Sequence, residues 1–136
     1  DGNLQIINDT TATSPEGGIA SIERFAKHGA IFIFGGTDKG LDYNHWGEIA
    51  KNNLDVQNIV FLSGSATEKM KQSVSGADEY DTLEECFDEA LTKVLQNKSQ
   101  IIVFSPSSKS FEKFKNEFDR GEKFNEIVKR RLNNER

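Results

Sequence analysis

The segment 31–34 consists of four large apolar residues in succession, and two glycines and a short polar loop follow it directly. A strand that is apolar at every position is typical of a parallel sheet covered by helices on both faces. Gly35 and Gly36 lack a Cβ, so they permit a sharp turn and the close approach of a ligand to the backbone. In open α/β sheets, ligands bind beyond the carboxyl ends of the strands, where Lys39 lies. We therefore expect a sheet covered by helices, with Lys39 beside a site that binds an anion. The alternative is that Lys39 is an ordinary solvated lysine of a loop.

Short apolar runs alternate with amphipathic segments along the rest of the chain. Further strands are predicted at 4–7, 58–62, 78–80 and 100–104. Helices are predicted from residue 15, at 43–52, after 65, at 82–95 and at 111–132. This alternation predicts an α/β, doubly wound, Rossmann-like three-layer domain with a mostly parallel sheet of about five to six strands. No linker interrupts residues 1–136, which we interpret as one domain.

Capping residues and apolar spacing predict how the helices begin and which sides they bury. Ser14, followed by proline, and Thr82, with an acid three residues later, have the spacing of N-terminal caps. Asp42 and Ser65 are predicted caps of the second and third helices, and Gly121 is predicted to interrupt or kink the last one. The predicted apolar face of the fourth helix comprises Leu83, Phe87, Ala90, Leu91, Val94 and Leu95. The phenylalanines of the last region have core spacing: Phe111, Phe114, Phe118 and Phe124.

The composition limits the classes of function open to the chain. Its formal net charge of −5 argues against nucleic acid as the main partner. It contains neither a long apolar run nor a basic, apolar leader, so no membrane span and no signal peptide are predicted. The single cysteine, Cys86, cannot form an internal disulfide, favours a reducing compartment and is predicted to pack in a helix. His28 and His45 have no partner at metal-ligand spacing, so no metal site is predicted.

Polar loops follow the first, second and last strong strands, at 8–14, 35–39 and 105–110. Because loops after parallel strands lie on one edge of the sheet, we expect these three to meet. Together they offer several serines and Asp9, Thr10, Thr11, Thr13, Lys39 and Lys109. Hydroxyls supply hydrogen bonds, and lysines supply charge, to a small carboxylate or phosphate. The alternative, that the serines and threonines merely cap helices and close turns, stays open.

The glycine loop matches neither common nucleotide-binding motif. Gly40 stands where a P-loop needs Ser or Thr to hold Mg²⁺, the glycine spacing differs, and no G-x-G-x-x-G sequence is present. A phosphate cradle is therefore not predicted within this chain.

Three motifs, at 8–13, 35–43 and 105–124, occur in this order and together resemble the carboxyl-terminal domain of the Mur ligase family, in the branch that adds D-glutamate. The resemblance implies a bacterial, cytoplasmic, monomeric ligase of peptidoglycan precursor synthesis. In that family ATP phosphorylates the carboxylate of UDP-N-acetylmuramoyl-L-alanine, and the amine of D-glutamate then displaces the phosphate. UDP-binding and ATPase domains, absent from this chain, would precede it and hold ATP and Mg²⁺. The chain alone would bind no cofactor, contain no catalytic residue and be inactive.

The resemblance also implies a set of site residues. The residues that match the family's D-glutamate pocket are Thr13, Lys39, Ser110 and the backbone at Phe111, and Asp9 matches a residue on the nucleotide side. Three departures from the family pattern mark possible accessory positions: Thr11 replaces a common lysine, Lys109 adds one, and Phe118 stands one place beyond the usual aromatic.

Other functions fit the same pattern of strands and loops. A stand-alone anion- or nucleotide-binding module would have the same sheet, and so would the carboxyl-terminal domain of another Mur or folylpolyglutamate-type ligase. A scaffold domain that binds no small molecule is a third possibility.

Overall fold

A computed structural model describes residues 3–134 of the chain. Its strands are β1 Gln5–Asn8, β2 Ile31–Phe34, β3 Ile59–Leu62, β4 Asp78–Tyr80 and β5 Ile101–Phe104. Its α-helices are α1 Pro15–Phe25, α2 Asn44–Asn53, α3 Ser65–Met70, α4 Leu83–Asn97 and α5 Glu117–Asn134, with short 3₁₀ turns at Ala26–His28 and Val56–Asn58. The strands form one parallel sheet in the order β1-β5-β2-β3-β4. The predicted three-layer α/β fold is confirmed, with every strand parallel.

The central strand β2 divides the core into two layers, because successive side chains of a strand point to opposite faces. Phe32 and Phe34 belong to the cluster that α1, α2 and α3 complete. Ile31 and Ile33 belong to the cluster that α4 and α5 complete. All four side chains are fully buried, as the uninterrupted apolar run predicts.

The strand order decides which loops are neighbours. Strand β5 lies between β1 and β2, with Ile7 paired to Val103 and Ile33 paired to Phe104. The carboxyl ends of β1, β5 and β2 are therefore adjacent, and the three polar loops leave the sheet side by side.

Two of the four predicted helix caps are confirmed. The Ser14 side chain accepts a hydrogen bond from the Gly17 N–H, and Thr82 forms a capping box with Glu85. The other two predictions are wrong. Helix α2 begins at Asn44 after an N-cap without a side-chain bond, and Asp42 instead accepts the Asn44 N–H in a local turn at 2.8 Å.

Ser65 is likewise not a cap, because it is the first residue of α3 and Gly64 takes the N-cap position. Its hydroxyl donates to Glu112 at 2.7 Å, while its N–H donates to the same carboxylate at 3.0 Å. Tertiary contact with the loop after β5 has therefore replaced local capping.

The last helix differs most from its prediction. It begins at Glu117 rather than at 111, and it continues through Gly121 without interruption. Asn116 accepts the Asp119 N–H at 2.8 Å and so marks its first turn. Residues 111–116 lie outside the helix, so its periodicity does not bury Phe111, which is 55% exposed. Phe118 lies in the first turn of α5 but is 66% exposed, so the predicted core position is wrong for both residues.

The outer end of α4 also departs from the predicted apolar face. Leu95 is 82% exposed, whereas Leu83, Phe87 and Ala90 are buried. Lys93, which the pattern assigned to no face, is buried and forms an ion pair with Asp78 at 3.2 Å.

Cys86 is buried, and burial raises the pKa of its thiol, in keeping with the predicted packing role. Among the helices that the structure describes, none has the length and apolar composition that crossing a membrane requires.

Candidate functional site

The three polar loops meet at the carboxyl edge of the sheet. Thr37 and Lys109 form an antiparallel bridge, in which the Thr37 N–H donates to the Lys109 carbonyl at 2.8 Å and the Lys109 N–H returns a bond at 3.2 Å. The Ser105 hydroxyl donates to the Asp9 carboxylate at 3.1 Å, which joins the loops after β5 and β1. Side chains that lie about 100 residues apart in sequence are thereby held on one short stretch of surface.

The two glycines after β2 serve contacts within the protein. A Cβ on Gly36 would lie 2.5 Å from both the Lys109 carbonyl oxygen and the Ser108 hydroxyl. Gly35 has a φ of 123°, in a region that side chains disfavour, and a Cβ there would collide with the Leu62 carbonyl. Other atoms do approach the backbone of Gly35 and Gly36 closely, as predicted. These atoms belong to the protein itself, however, so the space beside the two glycines is not open to a ligand.

The serines of the loop after β5 mostly hold that loop together. The hydroxyls of Ser107 and Ser108 donate to the carbonyls of Ser105 and Pro106, at 3.1 and 3.0 Å. Ser107, at a φ of 61°, also accepts the indole N–H of Trp46 at 3.2 Å. Ser107 and Ser108 therefore fit the alternative reading of the sequence, in which the serines close turns and do not bind a ligand.

Ser110 differs from the other serines of its loop. It is buried, and its carbonyl accepts the N–H groups of Lys113 and Phe114 at 3.3 and 2.9 Å. Its hydroxyl takes part in no hydrogen bond among residues 3–134. Because α5 begins seven positions later, Ser110 does not cap that helix.

Lys39 lies on an exposed loop whose base is fixed. Asp38, directly before it, accepts the Lys69 ammonium at 3.0 Å and the Gly40 N–H at 2.9 Å. These interactions, with the Lys69 hydrogen bond first among them, lower the pKa of the Asp38 carboxyl. The Lys39 ammonium itself stands 4.9 Å from the centre of the Phe111 ring, a cation–π contact at the rim.

The structure brings Thr13 and Lys109 into contact, whereas the accessory candidates Thr11 and Phe118 do not join them. The Lys109 ammonium donates to the Thr13 hydroxyl at 3.3 Å. Thr11 is exposed, and Phe118 is exposed beyond the start of α5. Asp9 is half-buried; burial raises the pKa of its carboxyl, and the Ser105 hydrogen bond offsets part of that rise.

Arg120, on the first turns of α5, is the central residue of the site that sequence reasoning missed. It is 1% exposed, and its guanidinium donates to the carbonyls of Thr10, Ser108 and Lys109 at 2.7, 3.0 and 3.1 Å. A fourth bond reaches the Thr10 hydroxyl at 3.0 Å. Burial lowers the pKa of Arg120 to about 10. The sequence offered two signals, an arginine followed by glycine inside an amphipathic helix and its position within the 105–124 motif, and neither reveals its distant partners.

The edge forms a surface rather than a finished pocket. The cavity enclosed there, lined by Gly36, Thr37, Ser110 and Arg120 among others, has a free volume of about 10 Å³. That is near the least needed for one water molecule and too little for an amino acid. Grooves of about 350 and 690 Å³ lie at the opposite edge, and a third groove of about 410 Å³, lined by Asp9, Thr11 and Ala12 among others, lies between the loop after β1 and α1.

The described residues do not fit an Mg²⁺–ATP centre of their own. Within residues 3–134, no three His, Cys, Asp or Glu side chains are grouped so that they could hold a metal ion. The edge also carries the carboxylates of Asp9, Asp38 and Glu112, which bond to Ser105, Lys69 and Ser65. The remaining hydroxyls and ammonium groups suit an organic anion better than a divalent cation.

Comparison with known proteins finds relatives that share one name. No protein-family model matches the chain. The chain is 33% identical over 133 residues to the UDP-N-acetylmuramoylalanine--D-glutamate ligase of Treponema pallidum. It is 35% and 31% identical to the ligases of the same name from Borreliella burgdorferi and Aquifex aeolicus, over 132 and 128 residues. These matches cover 92–94% of this chain but only 24–30% of each relative, so the chain spans less than a third of their length.

Proposed function

The chain is a domain of the Mur ligase type, homologous over more than nine-tenths of its length to D-glutamate ligases, and we propose that it binds the incoming D-glutamate. In this proposal it is the carboxyl-terminal domain, residues 1–136, of a bacterial cytoplasmic enzyme that joins D-glutamate to UDP-N-acetylmuramoyl-L-alanine at the expense of ATP. UDP-binding and ATPase domains precede it, and they hold the other substrates and Mg²⁺.

The observation that carries the proposal is the meeting of three loops at the carboxyl edge of the sheet. Through the Thr37–Lys109 bridge and the Lys109–Thr13 bond, the structure places two ammonium groups and several hydroxyls on adjoining loops. A parallel sheet offers its ligand sites at this edge. The chemistry of these groups suits carboxylates, of which D-glutamate has two.

Each proposed contact has a distinct physical role. Lys39 supplies a point charge from the exposed rim, and the hydroxyls of Thr13 and Ser110 supply direction. The backbone at Phe111 adds a contact, and Asp9 faces the nucleotide. Gripping both carboxylates leaves the amine free to attack, which is what the joining reaction needs.

The small enclosed volume supports a site that is completed by another domain. A wall with about 10 Å³ of free space holds a ligand only when a second surface closes over it. Catalysis by positioning follows from such closure, since the reacting groups are held on different domains. The isolated chain is accordingly proposed to be inactive.

Titration of the ¹⁵N-labelled chain with D-glutamate tests the placement. We expect weak saturation, at roughly millimolar concentration or above, because a small ligand pays its ordering cost against one wall only. The shifted amides should cluster at Thr13, Lys39 and Ser110, and Lys39→Ala should reduce them, whereas Lys27→Ala, which removes an exposed lysine from the opposite edge, should not. Shifts confined to the opposite edge, around Phe25 and Gln100, would contradict the proposal. Micromolar binding of a nucleotide or phosphate by the chain alone would favour a stand-alone module.

A further inference from the structure

Lys109 is held more rigidly than an ordinary surface lysine. Its N–H and carbonyl both pair with Thr37, and the same carbonyl accepts a bond from the buried guanidinium of Arg120 at 3.1 Å. These three hydrogen bonds fix the backbone of Lys109, and with it the position from which the side chain extends. The half-buried ammonium therefore projects reproducibly toward the loop after β1, where it meets the Thr13 hydroxyl at 3.3 Å.

This ammonium has no counter-ion in the described part of the chain. None of the ion pairs there involves Lys109. The carboxylates on the adjoining loops bond to other groups: Asp38 pairs with the Lys69 ammonium, and Asp9 and Glu112 accept the hydroxyls of Ser105 and Ser65. The buried Arg120 beneath it adds positive charge, because carbonyls and a hydroxyl, not carboxylates, accept its hydrogen bonds.

A fixed, half-buried cation without a counter-ion attracts an anion strongly, since burial reduces screening by water. The Thr13 hydroxyl accepts from Lys109 and can donate its own proton to the same anion. Lys39, at the rim of the adjoining loop, provides a second ammonium on a separate flexible stem. Two cations on separate loops match a ligand with two negative ends better than one with a single charge.

We propose that Lys109 is a specificity-determining residue that binds one of the two carboxylates of the D-glutamate substrate, together with Thr13, while Lys39 binds the other. The inference rests on the proposed function. It assigns to Lys109 the selection of a dicarboxylate, and it assigns to the Thr37–Lys109 bridge the task of holding that cation in place.

The test uses steady-state kinetics of the full-length ligase, with each substrate varied in turn. Lys109→Met removes the charge and keeps a long side chain; Lys109→Arg keeps the charge. Lys115→Met is the matched control, since it removes an exposed lysine from the same segment. Loss of a charge-assisted contact should raise the KM for D-glutamate about ten- to a hundredfold in Lys109→Met. The KM for ATP should stay within about threefold, Lys109→Arg should recover most of the loss, and Lys115→Met should match the wild type.

The outcomes separate this inference from the function on which it rests. A wild-type enzyme that does not use D-glutamate would overturn both. A wild-type enzyme that uses it, with an unchanged KM in Lys109→Met, would overturn the role of Lys109 alone. A fall in kcat without a change in KM, or equal loss in Lys109→Arg and Lys109→Met, would show that the residue matters for loop structure and would also overturn the proposal. Thermal unfolding of each variant verifies that the fold is intact.

Discussion

Arg120 donates two hydrogen bonds to Thr10, one to its carbonyl at 2.7 Å and one to its hydroxyl at 3.0 Å, across 110 positions of sequence. The same guanidinium holds the carbonyls of Ser108 and Lys109. One side chain therefore connects α5 to the loops after β1 and β5, which carry four of the five proposed D-glutamate contacts.

Replacement of Arg120 should destabilise the whole domain. In Arg120→Met the carbonyls of Thr10 and Ser108 lose their donor, whereas the Lys109 carbonyl keeps the Thr37 N–H. Each buried group left unsatisfied costs about 1–3 kcal/mol. We expect a loss of about 3 kcal/mol or more in the free energy of unfolding, measured by urea denaturation. Arg120→Lys should recover only part of it, because an ammonium lacks the planar fork that reaches separate acceptors. A loss below about 0.5 kcal/mol, the usual range for surface substitutions, would show that the contact does not hold the loops.

Replacing Gly121 by alanine should destabilise the protein, which is the opposite of the usual effect of Gly→Ala within a helix. A Cβ at this helical position would lie 2.6 Å from Thr10 Cγ2. The Thr10 side chain cannot rotate away cheaply, since its hydroxyl also donates to the Glu117 carbonyl at 2.8 Å. Gly121→Ala should therefore lose stability by overpacking, despite an intrinsic helix gain of about 1 kcal/mol.

The matched background is Thr10→Ser, which removes Cγ2 and keeps the hydroxyl. In that background the nearest remaining contact is with the Cβ of residue 10, at 3.3 Å, so Gly121→Ala should lose most of its destabilisation in chemical denaturation. An equal effect of Gly121→Ala in both backgrounds would mean that the Thr10 contact does not explain the glycine.

Glu112 connects the site to α3 in a pH-dependent way. Hydrogen bonds from the backbone and hydroxyl of Ser65 lower the pKa of the Glu112 carboxyl. Since the folded state favours the ionised form, the contact adds stability above the unfolded pKa and loses it as pH falls through the lower folded pKa. NMR titration should place the Glu112 midpoint below its ordinary value, and Ser65→Ala should raise it. A midpoint that Ser65→Ala leaves unchanged would be incompatible with this contact.

The chain alone should fold but turn over no ATP. Two buried apolar clusters cover the faces of the sheet, so a single cooperative thermal transition is expected. No phosphate-binding motif is present in the sequence, so a sensitive phosphate-release assay should find no ATP hydrolysis above that of an Arg120→Met control. Hydrolysis that rises with chain concentration and survives further purification would refute the assignment of ATP chemistry to other domains.

Local sequence was enough to predict β2, because four consecutive apolar residues, Ile31 to Phe34, indicate a strand that is buried on both faces. It was also enough for the Thr82 capping box, whose partners are three residues apart. It was not enough for Arg120 or Ser65, because their partners lie on distant loops. Gly121 was misread for the same reason: glycine in a helix signals either a break or a close neighbour, and only the fold reveals Thr10.

The site shows a similar division. The order of elements predicted that the three loops would share an edge, and the structure brings them together. It did not predict that the space beside Gly36 would be filled by the loop after β5, or that Phe111 would be exposed beneath the Lys39 ammonium. The roles of Thr13, Lys39, Ser110 and Phe111 in binding D-glutamate stay predictions.

The central claim is that this edge binds D-glutamate, and the most direct test is Lys39→Ala in the full-length ligase. Lys39 lies on an exposed loop, so thermal stability should hardly change. Loss of a charge-assisted contact worth about 1.5–3 kcal/mol should raise the KM for D-glutamate about ten- to a hundredfold and leave the KM for ATP nearly unchanged. If the KM for ATP rose as much as that for D-glutamate, Lys39 would serve the nucleotide or domain closure, and the proposed site would be wrong.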